Sequence, residues 1–272
     1  MKELAGRKLI LILGIPFGIG CYLIGNPVFA VVTTIVMLGG LDEFYSICEK
    51  KGGHPNRIFG FIITLLIAVS YSGIYAHHQI TIMGIICLSV ISVFFIEIIN
   101  KKEEPLLNIS TTFLGILFVP CLLGTIIYLR QMDHIYNSNV VLALFLSVWF
   151  ADIAAFFFGT KWGKKKIVPM ISPKKSWVGS ISGFLASLII FIIFYELELL
   201  GDRYSLFDSV VLGVLSGIFS QLGDFSESLL KRDAGVKDSG NLLRGHGGVL
   251  DRFDSLLFSS SMIYIYFLIL ID

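Results

Sequence analysis

Charge is what this sequence is shortest of. Of its 272 residues, 15% are Asp, Glu, Lys or Arg, against about 25% in an ordinary soluble domain, which argues against a cytosolic globular fold. Nor is either sign in excess: 21 basic and 20 acidic residues leave a formal net charge of +1, so no overall basic field points to nucleic acid. Cysteine is sparse as well. Cys21, Cys48, Cys87 and Cys121 lie far apart in or beside apolar stretches with no CxxC pair, which disfavours a zinc site or a disulfide framework and reads as small buried side chains. No internal repeat and no low-complexity linker is visible. What is abundant is apolar: 55% of residues are hydrophobic, with 23 Phe and 10 Tyr, and the mean hydropathy is +0.83. A disordered chain has the opposite composition. These numbers predict one all-α, polytopic membrane domain.

A helix crossing the hydrocarbon core needs about 20 apolar residues. That length gives nine candidate spans, near 9–25, 28–47, 58–76, 79–99, 109–129, 139–159, 179–200, 208–224 and 255–271. The first follows Lys2, Arg7 and Lys8 and resembles a signal peptide, but its apolar run is long and no small-residue cleavage site follows; it reads as a retained helix. With nine spans, nineteen of the 21 Lys and Arg residues fall on one side, and only Arg130 and Arg203 on the other. Basic loops stay cytoplasmic, so the N-terminus is expected in the cytoplasm. The two longest loops, 160–178 and 225–254, then also face it, and residues 139–272 form the expected catalytic half, with residues 1–130 of no assigned role.

Chemistry concentrates in the last quarter. From Gln221 the chain reads QLGDFSESLLKRDAGVKDSGNLLRGHGGVLDRFDS, with acids and bases interleaved. Carboxylates bind Mg²⁺ and Lys or Arg neutralise phosphates, although a solvated loop of paired charges has the same composition. Asp224 ends an apolar span, and an acid at the edge of the membrane is a functional candidate. Asp251 and Asp254 are three apart, on one face of a helix, where they can meet a metal or compensate the helix dipole. Gly245, Gly247 and Gly248 surround His246 and allow close backbone approach to an anion, or simply a turn. Asp152 lies within an apolar helix, and six lysines occupy 160–178, a bias that positive-inside topology or anionic lipid also explains. Glu43 and Glu97, near span ends, suit either a site-lining or a structural role.

The spacing Ser228-x-Leu230-Lys231-Arg232-x4-Lys237-Asp238-x-Gly240-x2-Leu243-x2-His246-Gly247-Gly248-Val249-x-Asp251-Arg252-Phe253-Asp254 closely resembles the signature of the phosphatidate cytidylyltransferases (CDP-diacylglycerol synthases). A second block agrees: Asp152-x2-Ala155-x-Phe157-x-Gly159, Gly163-Lys164, and Ser172-Pro173-Lys174-Lys175-Ser176-Trp177-x-Gly179. Two positions depart, Arg244 where the family has Pro or Gly, and Val178 where it has Glu. The resemblance implies the reaction CTP + phosphatidate → CDP-diacylglycerol + diphosphate, with Mg²⁺ and a second cation as cofactors and a bacterial inner membrane as location. It implies roles for Asp224, Asp251 and Asp254 as metal ligands. Lys231, Arg232, Lys237 and Arg252 would hold phosphates, with His246, Gly247 and Gly248 beside them. Ser172, Lys174 and Lys175 would close the site from the other loop, and Asp152 would support a further cation. Family analogy also suggests a homodimer. A CTP-dependent polyprenol kinase or a cytidylyltransferase for another lipid phosphate shares this logic. A transporter would place its polar residues near the midplane with repeat symmetry, which this sequence does not do.

Overall fold

The computed structural model describes residues 16, 18–73, 78–100, 103–240 and 247–271. Among them the chain is all-α, with one isolated antiparallel bridge, Lys166 to Ser176, and no strand. The helices are α1 (Asn26–Glu49), α2 (Arg57–Tyr71), α3 (His78–Asn100), α4 (Pro105–Ile116), α5 (Thr125–Ile135), α6 (Val140–Trp162), α7 (Trp177–Glu196), α8 (Leu206–Asp233) and α9 (Leu250–Tyr266). A π turn, Leu117–Cys121, joins α4 to the segment leading into α5, and a second, Phe267–Ile271, extends α9.

Among the described residues six helical stretches are long and apolar enough to cross a membrane: Asn26–Glu49, Gln79–Asn100, Pro105–Ile135, Val140–Trp162, Trp177–Glu196 and Leu206–Asp233. Each coincides with an expected span. The span expected at 58–76 forms the shorter α2, and that at 255–271 lies in α9 and its extension. Residues 9–15 and 17 of the span expected at 9–25 fall outside the described residues, as do Lys2, Arg7 and Lys8. Helix α3 shows why lipid is required: Met83, Leu88, Ile91, Phe94, Phe95 and Ile98 all face outward, an apolar surface no water-soluble monomer carries. This is an integral membrane protein.

The contacts divide into two compact units. The first comprises 1–128 and 233–252, the second 129–232 and 253–272. The segment 233–252 thus groups with the N-terminal helices.

In the first unit α1, α2 and α4 pack round Tyr45, which is fully buried. Its hydroxyl donates to the Thr112 carbonyl at 3.0 Å, and Gly60 and Gly115 lie flat against its ring. Asn56 caps α2 by accepting from the Phe59 amide at 3.1 Å, an N-cap arrangement that satisfies one of the helix's open N–H groups. Asn108 ties three segments together: its amide nitrogen donates to Glu97 of α3 at 2.7 Å, and its oxygen accepts from the His54 amide at 2.8 Å. Pro120 sits inside the π turn, where a residue without an N–H interrupts the helical ladder. There the Cys121 carbonyl accepts from the Tyr71 hydroxyl at 3.1 Å.

The second unit is built on close helix approach through small residues, the usual contact in lipid. A Cβ placed on Gly179 of α7 would lie 2.8 Å from the Ala155 carbonyl of α6, and one on Gly183 would lie 3.0 Å from that of Ala151. Gly213 packs likewise on Leu188, and Gly223 on the Asp254 carbonyl. The buried Asp133 accepts from Ser138 Oγ at 2.7 Å and from the Val140 and Val141 amides at 2.8 and 2.9 Å, closing the start of α6.

Gly115 tests the packing of the first unit. A Cβ there would meet Leu41 Cδ1 at 2.9 Å and Phe44 Cδ1 at 3.1 Å, and would strike the Tyr45 ring. Gly115→Val should therefore destabilise the protein by about 1–3 kcal/mol, read as a lowered melting temperature in detergent, whereas Gly84→Val, at an open position, should leave it unchanged.

Candidate active site

Helices α6, α7 and α8 of the second unit enclose a cavity of about 490 Å³. The sequence sets its shape. Ala151, Ala155 and Gly159 recur at four-residue spacing on α6, so one face of that helix carries almost no side chain, and Gly179 and Gly183 do the same for α7. Polar groups enter this space at one level: Asp152 from α6, Ser180 from α7, Gln221 and Asp224 from α8, and Lys166, Lys174 and Lys175 from the connecting loop. Gln221 fixes α8 to α7, donating to the Ser180 carbonyl at 3.1 Å and to Gly217 O at 2.8 Å.

The loop between α6 and α7 is held in a tight fold. Ile167 N donates to Lys175 O at 3.2 Å and Trp177 N to Lys165 O at 3.1 Å. Ser172 makes the turn: its amide donates to Val168 O at 2.9 Å and its carbonyl accepts from Lys175 N at 3.3 Å. Ser176 caps α7 through the Gly179 amide at 3.3 Å. This turn aims Lys175 inward. Its ammonium pairs with Asp224 Oδ2 and lies 4.2 Å from the centre of the Phe225 ring, a favourable cation–π distance. Lys166 donates to the Lys174 carbonyl at 3.1 Å.

Asp152, Asp224 and Asp254 are close enough to interact electrostatically. Asp254 is buried and accepts from Ser255 Oγ at 3.2 Å; Asp224 accepts from Ser228 Oγ at 3.4 Å. Carboxylates are hard oxygen donors, the kind Mg²⁺ takes, and gathered negative charge in apolar surroundings favours a cation. Among the described residues no three such side chains are gathered as a ready-made ligand group, and the Lys175 ammonium lies on Asp224.

The other signature residues lie in the first unit. Asp251 Oδ2 accepts from the Gly248 amide at 2.7 Å, Ser239 N at 3.0 Å and Ser239 Oγ at 3.1 Å. The Gly248 N–H, expected to face an anion, is thus given to Asp251. Gly247 has φ +79°, a conformation that favours glycine. Lys237 and Arg252 are exposed. His246, Gly245 and Arg244 lie outside the described residues.

Known proteins resemble this chain over nearly its whole length. A family model described as the cytidylyltransferase family matches residues 6–270. A phosphatidate cytidylyltransferase from Synechocystis is 30% identical over 290 residues, covering 97% of this chain and 96% of the relative. One from Thermotoga maritima is 30% identical, with 99% and 98% covered. One from Haemophilus influenzae is 40% identical over 174 residues, 62% of this chain and 60% of the relative.

Lys231 and Arg232 have partners of a kind the sequence did not reveal. Lys231 is buried and its ammonium lies 2.5 Å from Oε2 of the fully buried Glu227, one helical turn away. Arg232 Nε donates to the Ile171 carbonyl at 3.3 Å, tying α8 to the lysine loop. Removing one member of a buried ion pair leaves a charge without compensation and costs about 3–5 kcal/mol, whereas replacing both need not. Lys231→Met should therefore lower the melting temperature strongly and Lys231→Met/Glu227→Leu should recover most of it. A Lys231 used only for phosphate would leave the melting temperature of the single variant unchanged.

Proposed function

Because the chain belongs to the cytidylyltransferase family, we propose that it is a phosphatidate cytidylyltransferase of a bacterial inner membrane, working at the cytoplasmic face. It converts CTP and phosphatidate to CDP-diacylglycerol and diphosphate. The observation that carries this reading is the meeting of Lys175 with Asp224 at the cavity that Asp152 also lines. It joins the cationic loop to the intramembrane acids, so one site offers groups for both a phosphate and a metal.

The reaction forms a bond between an oxygen of the lipid phosphate and the α-phosphorus of CTP. The bond from that phosphorus to the bridging β-phosphate oxygen breaks, and diphosphate carries away the electron pair. The lipid phosphate is already an anionic nucleophile, so no strong base is needed. The barrier lies in bringing anions together and stabilising the leaving group, which positioning and fixed charge supply. Lys174 and Lys175 hold the lipid phosphate, and Asp224 and Asp254 would hold Mg²⁺, with Asp152 supporting a further cation. Bound Mg²⁺ supplies Lewis-acid stabilisation of the developing phosphate charge. When phosphatidate binds, Lys175 exchanges Asp224 for an oxygen of the lipid phosphate. Arg232, Lys237 and Arg252 add positive charge for the nucleotide. Phe156 and Thr160, exposed on α6 and lining the cavity, let the lipid approach from the side with its acyl chains in the bilayer.

The test is label transfer in detergent. CTP labelled at the α-phosphate, with phosphatidate and Mg²⁺, should place label in the lipid phase. Chelation of the metal should abolish transfer, and Asp224→Asn should lower it by about 10²–10³-fold with the protein still folded. Label passing from γ-labelled CTP to a polyprenol would instead establish a kinase.

A further inference from the structure

Glu43 lies in α1, between Leu41 and Phe44, and is 6% exposed. A carboxylate placed there is costly unless donors surround it. The donors come from one distant segment. Ser239 Oγ and Leu250 N each lie 2.8 Å from Oε2, and Val249 N lies 2.8 Å from Oε1. The Val249 and Leu250 amides stand at the start of α9, where N–H groups have no partner within the helix and carry its positive dipole end. Glu43 thus occupies the helix N-terminus as a bound anion does, and needs no cation.

The steric fit agrees. A Cβ on Gly240 or on Gly248 would run into the Glu43 carboxylate, and a Cβ on Gly39 would meet Val249 Cγ2 at 3.4 Å. Both loop glycines are therefore required by the acid they rest on. Ser239 links this carboxylate to a second, since its hydroxyl also lies 3.1 Å from Asp251 Oδ2. Lys51 pairs with Asp233 at 3.2 Å near the start of the same segment, but with both side chains about half exposed or more, where such pairs are weak.

We propose that Glu43 is a positioning residue: it holds Ser239, Val249 and Leu250 against α1 and so fixes the arrangement in which Gly247, Gly248 and Asp251 act in nucleotidyl transfer. The proposal rests on the activity proposed above. It gives the N-terminal helices a part in the reaction, as the dock for the signature loop. Gln in place of Glu43 presents an NH₂ group to donors on at least one side, so the clamp opens while the volume is kept.

The test compares wild type, Glu43→Gln, Gly248→Ala and the double variant, purified in detergent. Amide hydrogen exchange at Ser239 and at 248–250 should be about tenfold faster in Glu43→Gln, and kcat about 10²-fold lower. Its melting temperature should stay within a few degrees, and KM for phosphatidate should not move. Gly248→Ala, which pushes the loop off from the other side, should do the same, and the double variant should be no worse than either single one, as for residues in one contact. Normal kcat in Glu43→Gln despite faster exchange, or fully additive losses, would overturn the proposal. If Glu43→Gln does not fold, Gly248→Ala decides by the same exchange and kcat readouts. If wild type transfers no cytidylyl group, the functional reading fails separately; Glu43 is then judged by loop exchange and CTP affinity, and unchanged values for both would overturn the clamp.

Discussion

Placing ionised groups in apolar surroundings sets the terms for everything else in this molecule. An uncompensated carboxylate in a low-dielectric interior is costly enough to lose its charge or unfold its surroundings, so each buried acid here has acquired donors. Asp133 is met by a hydroxyl and two amides at the start of α6, Glu97 by the Asn108 amide, and Glu227 by the Lys231 ammonium. Glu43 is met by three donors from the loop before α9. These four acids hold elements together. Asp152, Asp224 and Asp254 differ, because they repel one another, and Asp224 among them pairs with the inward-facing Lys175. The difference separates acids that maintain the fold from the acids proposed to meet a ligand.

Small residues make that cavity available. In lipid, helices gain little from hiding apolar side chains and associate instead through close packing. The Ala and Gly positions of α6 and α7 let the two helices approach at one level, and the same lack of side chains leaves space where the polar groups enter. A bulkier α6 would have filled it. The serines of α9 illustrate the matching constraint on polar groups: Ser259, Ser260 and Ser261 each return their hydroxyl to the carbonyl four residues earlier, so the helix itself supplies acceptors for a buried polar stretch.

Local patterns were legible in the sequence, and long-range pairings were not. Apolar run length located the helices because one bilayer thickness fixes it, and fixed spacing located the signature and the lysine loop. The join between Lys175 and Asp224 had no signal beyond the charge of each, since 49 positions separate them. Glu43 showed only as an acid near a span end, a pattern that Glu97 shares; its partners lie 196 to 207 residues away. Lys231 shows a different limit. Its neighbours in sequence suggested phosphate, and Glu227, one turn back on the same helix, stands at the spacing that forms ion pairs. Burial of that helical face was announced by no local pattern.

The grouping of residues 233–252 with the N-terminal helices suits the chemistry proposed for them. A glycine-containing loop that handles phosphates must approach them with its backbone, and the glycines that permit this also make it expensive to order. If the loop were ordered only on binding, that entropy would be subtracted from the stabilisation available in the transition state. Anchoring it beforehand removes the penalty, but the anchor must not compete for the ligand. A lysine would attract the nucleotide's phosphates to itself. A buried carboxylate repels them, and it grips the loop through the N–H groups that open α9, which the helix leaves without partners. Glu43 meets that requirement from a helix otherwise occupied with crossing the membrane, which is why an N-terminal segment without a signature of its own belongs to the working part of the enzyme.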